Sequence, residues 1–162
     1  MNTLQIAGFL DHSTVNGLGF RSVVFVSGCH HYCPGCQNTA MQAPDYGEVC
    51  SIENIYKRIL KNKPLIDGVT FSGGEPFDQA EALSDLALRL HQESLSIWAY
   101  TGYLYDDLLQ DPIKYRLLSH IDVLIDGPFQ IGLHDSTLRY RGSSNQRFLQ
   151  LKQGQIEKEL TF

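Results

Sequence analysis

Cys29, Cys33 and Cys36 place three of the chain's four cysteines within eight residues. Thiolate is a soft ligand, so three thiolates on one short loop can hold zinc or three irons of a cubic iron–sulfur cluster. The ligand count separates these chemistries. A structural zinc site closes with four protein ligands and would draw on His30 or His31, whereas a cluster held by three cysteines leaves one iron open. A redox dithiol is a third reading of the same residues. Further along, Ser72-Gly73-Gly74-Glu75-Pro76 interrupts a β-rich run. Two glycines there permit positive φ and let backbone groups approach a ligand, although a plain turn uses the same pair.

Hydrophobic patterning supplies the elements that would carry these loops. Residues 21–26 are β-branched and aromatic, as in a strand covered on both faces, and the cysteine loop follows their carboxyl end. A short strand over 4–9 precedes them, across a turn over 11–20 with Asn16-Gly17 and Gly19. Residues 38–49 read as irregular. Ser51 caps a helix whose apolar face is Ile52, Ile55, Ile59 and Leu60, ending near Asn62 ahead of Pro64. A strand over 68–71 leads into Gly73-Gly74, and an amphipathic helix over 78–92 follows. Then come a strand over 96–100, short helices over 104–109 and 113–118, and a strand over 121–125 ending at Asp126-Gly127. The stretch 138–162 shows no clear periodicity.

Strand, loop and helix recur at a spacing of about 30 residues, which implies parallel strands in right-handed crossovers with the chemistry at their carboxyl ends. There is no room for eight such units. The expectation is an α/β fold, an incomplete and open (β/α) barrel with a mostly parallel sheet. One domain over 1–162 is expected, its core at about 15–130 and a C-terminal tail over 131–162 packing on the core or contacting a partner.

Eighteen acids against thirteen Lys and Arg give a net charge of -5, which argues against a general nucleic-acid or anionic-membrane surface. No apolar run approaches the ~20 residues needed to span a bilayer, and the amino terminus lacks a basic region before an apolar core, so a cytoplasmic protein is expected. Thiols stay reduced there, and clustered cysteines read as metal ligands rather than disulfides. Cys50 reads as a partly buried, small apolar residue.

The spacing C-x3-C-x2-C, together with Gly73-Gly74-Glu75, resembles the radical S-adenosylmethionine enzymes. Val15-Asn16-Gly17-Leu18-Gly19-Phe20-Arg21 resembles a segment of the enzymes that activate glycyl-radical enzymes, with Leu18 at a usual proline. Tyr100-Thr101-Gly102-Tyr103 and Arg141-Gly142-Ser143-Ser144-Asn145-Gln146 resemble the anaerobic ribonucleoside-triphosphate reductase activating proteins, and the similarity covers about 15–147. The resemblance implies one [4Fe-4S] cluster on Cys29, Cys33 and Cys36, with S-adenosylmethionine on the open iron. It places the amino-acid end of that cofactor against Gly73, Gly74 and Glu75, and the adenine against the backbone of Gly35, Cys36 and Gln37. Gly35 and Gln37 stand where relatives often carry aromatics. Asp126 resembles by position an acidic residue near the cofactor; a turn-capping aspartate is the plainer reading.

The activity so implied is reductive cleavage of S-adenosylmethionine to generate a glycyl radical on the anaerobic (class III) reductase, with no side-chain acid or base. The implied partners are that reductase and a flavodoxin- or ferredoxin-type electron donor. The arginines of the tail would pair with the cofactor carboxylate or with the partner. Three alternatives stand beside this reading: an activase of another glycyl-radical enzyme, a small-molecule radical enzyme such as a 7-carboxy-7-deazaguanine synthase, and a non-catalytic zinc-binding module.

Overall fold

The computed structural model describes residues 3–36 and 39–162. Its strands are β1 (Thr3–Ser13), β2 (Arg21–Val26), β3 (Glu48–Ser51), β4 (Gly68–Gly73), β5 (Ser96–Tyr100), β6 (Val123–Asp126), β7 (Arg147–Lys152) and β8 (Gln155–Leu160). They form one sheet in the order β3-β1-β2-β4-β5-β6-β7-β8. With β3 and β8 at opposite ends of that order, the sheet stays open.

The sheet is mixed, which corrects the expectation of a mostly parallel one. Only β2, β4, β5 and β6 run parallel to one another. β1 pairs antiparallel with β2 and β3, and β7 pairs antiparallel with β6 and β8. The cause is connection length: parallel neighbours need a crossover, whereas a two-residue turn returns the chain antiparallel. Gln153 and Gly154, at φ 51° and 80°, make that turn between β7 and β8.

Helices α1 (Ile52–Asn62), α2 (Ala80–Gln92), α3 (Tyr105–Leu109) and α4 (Pro112–Leu118) fill the connections between the parallel strands. Ser51 caps α1 by accepting from the Asn54 amide at 3.1 Å. Asp111 does the same for α4, with Pro112 at a position where a missing N–H costs nothing. Leu83, Leu86 and Leu90 of α2 are wholly buried, each such side chain contributing about 1.5–3 kcal/mol.

Alternation along the strands sorts the core into two layers. Val24, Val26, Val69, Phe71, Ile97, Ala99 and Leu124 meet the helices, while Trp98, Val123, Ile125 and Phe148 form a separate cluster with Tyr100, Tyr140 and Leu160. Both faces are thus covered, and the apolar runs of β2 and β4 follow from that.

Arg21 pins the amino ends of three parallel strands. Its guanidinium donates to Thr70 Oγ1 at 2.8 Å, to the Val69 carbonyl at 3.0 Å and to the Ser96 carbonyl at 2.9 Å. Burial pulls its pKa down to about 10, which leaves it charged at neutral pH. A side chain at Gly17, φ +133°, would strike Arg21 Cδ at 2.8 Å, so the glycine makes room for the arginine.

Candidate functional site

The parallel strands deliver their carboxyl ends to one cavity. Cys29, Cys33 and Cys36 reach it from the loop after β2, and Ser72, Gly73 and Gly74 from the end of β4. Tyr100, Thr101 and Gly102 come from β5, Gly127 and Phe129 follow β6, and Gln146 precedes β7. Two motifs separated by a helix in sequence therefore border one space.

Local structure explains the loop. The Gly28 amide bonds the Met41 carbonyl at 2.7 Å and the Cys29 amide the Gln42 carbonyl at 3.0 Å, while the Cys36 amide closes a turn on the Cys33 carbonyl at 3.0 Å. Gly73 has φ +104°, and a Cβ on it would fall 2.4 Å from the Val26 carbonyl oxygen; one on Gly74 would fall 2.4 Å from that of Gly28. Only glycine allows the β4 turn to lie against the β2 loop. The Gly74 and Glu75 amides then bond the Val26 and Gly28 carbonyls at 2.8 and 2.7 Å.

None of the four cysteines is in a disulfide. Burial pushes the Cys29 thiol up to about 11 and raises the Cys33 thiol too. Nearby backbone N–H groups, of His31 for Cys29 and of Phe129 for Cys33, pull the other way but are outweighed by burial. Metal binding at such thiols would displace their protons.

Among the described residues, no three His, Cys, Asp or Glu side chains converge on a single-ion site. A cubane makes a different demand, because each thiolate bonds its own iron and the sulfurs need only border a common space. Three thiols lining one cavity fit that demand. Beside Gly127, Asn145 Oδ1 is the one buried side-chain acceptor among the described residues that lacks a partner.

Residues 15–149 match the family described as a 4Fe-4S single cluster domain. The anaerobic ribonucleoside-triphosphate reductase-activating protein of Salmonella typhi is 40% identical over 139 residues, 82% of this chain and 89% of the relative. Its namesake in Haemophilus influenzae is 35% identical over 153 residues, 90% of this chain and 96% of the relative. The protein of the same name in Enterobacteria phage T4 is 35% identical over 139 residues, 82% and 85% of the two chains.

The chain belongs to the anaerobic ribonucleoside-triphosphate reductase-activating proteins. Among solved structures, QueE from Escherichia coli superposes with a TM-score of 0.50 at 16% identity, over 62% of this chain and 52% of QueE. That likeness is one of fold alone, and the chain spans about half the length of QueE.

In this family member the motif residues divide into two groups. The cysteines, Gly73 and Gly74 line the cavity. Glu75 and Asp126, read from sequence as cofactor contacts, do not line it, and both are wholly buried among protein donors. Glu75 Oε1 accepts from His31 Nε2 and the Gly102 amide, each at 2.7 Å, and Oε2 from Thr101 Oγ1 at 2.8 Å and the Phe77 amide at 3.0 Å. The hydrogen bond to Glu75 raises the His31 pKa. Asp126 accepts the Tyr105 amide at 2.8 Å at the start of α3 and two bonds from Arg147.

Gly35, at φ +75°, turns its α-carbon toward Ile131, whose Cδ1 would lie 2.4 Å from an added Cβ. Gln37 lies outside the described residues. In the tail, Arg141 donates to the Ser144 and Gln146 carbonyls, and Arg139 donates to the Tyr140 hydroxyl. These arginines order the tail itself. Among the described residues no helix is long and apolar enough to cross a membrane.

Phe129 and Ser72 were not singled out in the sequence as cavity residues. Their signal was positional, since each stands at or just beyond the carboxyl end of a parallel strand.

Proposed function

We propose that this chain activates the anaerobic (class III) ribonucleoside-triphosphate reductase by generating a glycyl radical on it, using one [4Fe-4S] cluster and S-adenosylmethionine. The observation that carries this reading is the shared cavity. Three thiols from the β2 loop and the Gly73-Gly74 backbone border it, in a chain belonging to a family named for activating that reductase.

Cys29, Cys33 and Cys36 would hold the cluster and leave one iron facing the cavity. The chemistry supplied by the bound groups is a one-electron cleavage of the sulfonium carbon–sulfur bond, which releases methionine and leaves a carbon radical able to take the α-hydrogen of a glycine. The chain's own part is binding and alignment. The Gly73 and Gly74 backbone borders the cavity without side chains in the way, Cys36, Gly127 and Gln146 border it too, and the backbone of Gly35 and Cys36 would meet an adenine. No side-chain acid or base is needed. Asp126 would act by holding the start of α3 and the tail through Arg147.

The reductase is the proposed protein partner, and a flavodoxin- or ferredoxin-type donor would supply the electron; nucleic acid and membrane have no part in the reaction, which belongs to the cytoplasm. Transfer of deuterium from α-deuterated glycine in the reductase into 5'-deoxyadenosine, with a glycyl radical signal in electron paramagnetic resonance, is the expected result. Cleavage of S-adenosylmethionine without label transfer would assign the chain another substrate. A preparation holding stoichiometric zinc and no iron or sulfide would end the radical reading.

A further inference from the structure

Glu75 sits where three loops meet: its own, the cysteine loop after β2 and the turn after β5. The carboxylate is wholly buried. A carboxylate offers about four acceptor positions. All four are occupied here, two on each oxygen, by His31 Nε2, the Gly102 amide, Thr101 Oγ1 and the Phe77 amide, at 2.7 to 3.0 Å. An ammonium group from a ligand would have to displace one of these donors. The side chain also does not line the cavity bordered by the cysteines, although Thr101, Gly102 and His31 do.

His31 is the informative partner. It lies midway between Cys29 and Cys33, so fixing its ring fixes the middle of the three-residue spacer that sets where those two sulfurs point. The ring also packs edge-on against Tyr103 at 4.5 Å and stacks with His30 at 4.8 Å. Of these contacts, only the bond to Glu75 joins the ring to a wholly buried charged group. A bond of that kind is stronger than a neutral one and more directional than ring packing.

We infer that Glu75 is a positioning residue of the cysteine loop, acting through His31 to set the places of Cys29 and Cys33, rather than a group that contacts a ligand. This rests on the cluster reading above for its purpose, but the anchor itself is a property of the metal-free chain. Its removal leaves three donors facing a void and frees the loop between the two sulfurs.

The test is the rate at which each cysteine is alkylated in the reduced, metal-free protein, read by mass spectrometry with Cys50 as the internal reference. Cys50 stands in β3, outside the loop. In His31→Ala, Cys29 and Cys33 should react about tenfold faster or more relative to Cys50, the scale expected for losing one charged hydrogen bond. In Glu75→Gln, whose amide oxygen still accepts but carries no charge, the rise should be smaller. The double variant should be no faster than His31→Ala alone, because Glu75→Gln only weakens the bond that His31→Ala removes. His31→Gln, which retains a donor, should stay nearer the wild type.

Unchanged rates, additive effects, or an equal rise at Cys50 would each overturn the inference. So would a Glu75→Gln chain that keeps wild-type alkylation and cluster content yet loses affinity for S-adenosylmethionine, since that places the carboxylate at the ligand. If Glu75→Gln does not fold, His31→Ala carries the test, with Tyr103→Leu, which removes the ring packed against His31 and leaves the bond to Glu75, as a control for ring packing. A wild-type chain that takes up no cluster would sink the functional reading while the alkylation rates still decide the anchor.

Discussion

Asp126 and Arg147 stand directly opposite each other in the β6–β7 register, and the guanidinium spans the carboxylate with Nε on Oδ1 at 2.9 Å and Nη2 on Oδ2 at 2.5 Å. Asp126 is wholly buried, so the arginine is its charge partner as well as its clamp. Arg147→Ala should cost on the order of 2–4 kcal/mol, because it strands a buried carboxylate. Asp126→Asn combined with Arg147→Ala should recover part of that loss. Urea midpoints decide the matter: equal losses for the single and double variants would mean the pair contributes only packing.

Arg21 gives a second stability prediction. Arg21→Met should destabilise the chain by about 3 kcal/mol, since several buried acceptors lose a charged donor at once. Arg21→Lys should restore little, because an ammonium lacks the planar fork that reaches two strands together. A lysine variant unfolding at the wild-type urea concentration would refute the fork argument.

At the cysteine loop, Gly35→Ala carries two penalties, a positive φ and a collision with Ile131. The first is about 1–2 kcal/mol and stays whatever lies nearby. Adding Ile131→Ala removes only the second. Iron bound per chain after anaerobic reconstitution should therefore fall in Gly35→Ala and recover in part in the double variant; full recovery would show that φ is no constraint.

His120 sets a pH dependence. Burial is the main cause that lowers its pKa, aided by the neighbouring charges of His91 and Arg116. A depressed folded pKa means the unfolded chain takes up the proton first as pH falls. Stability should decline as pH drops through about 6.5 and level off once the folded value is passed. His120→Gln should show a flatter profile over that window, measured as urea midpoints at several pH values. Parallel profiles would assign the slope to other groups.

Sequence made β2 and β5 legible to the residue because both are short, β-branched or aromatic, and buried on two faces. It made the cysteine loop legible because ligand spacing is local. The β7–β8 hairpin was hidden: β8 carries Glu157, Lys158 and Glu159 on exposed positions, and its turn signal was only Gln153-Gly154. Glu75 and Asp126 were recognised as residues that matter, but three of Glu75's four partners lie 26 to 44 positions away and those of Asp126 lie 21 away. No local pattern states which donors a fold will bring to a buried carboxylate.

The position of Arg21 has a mechanical result. It rivets the first residues of β2, β4 and β5, roughly 20 Å of strand away from the end that carries the cysteines and glycines. The parallel strands are therefore held like the ribs of a fan at its handle. Rim loops at the far edge can be exchanged or widened to admit a bulky guest without slackening the grip beneath them.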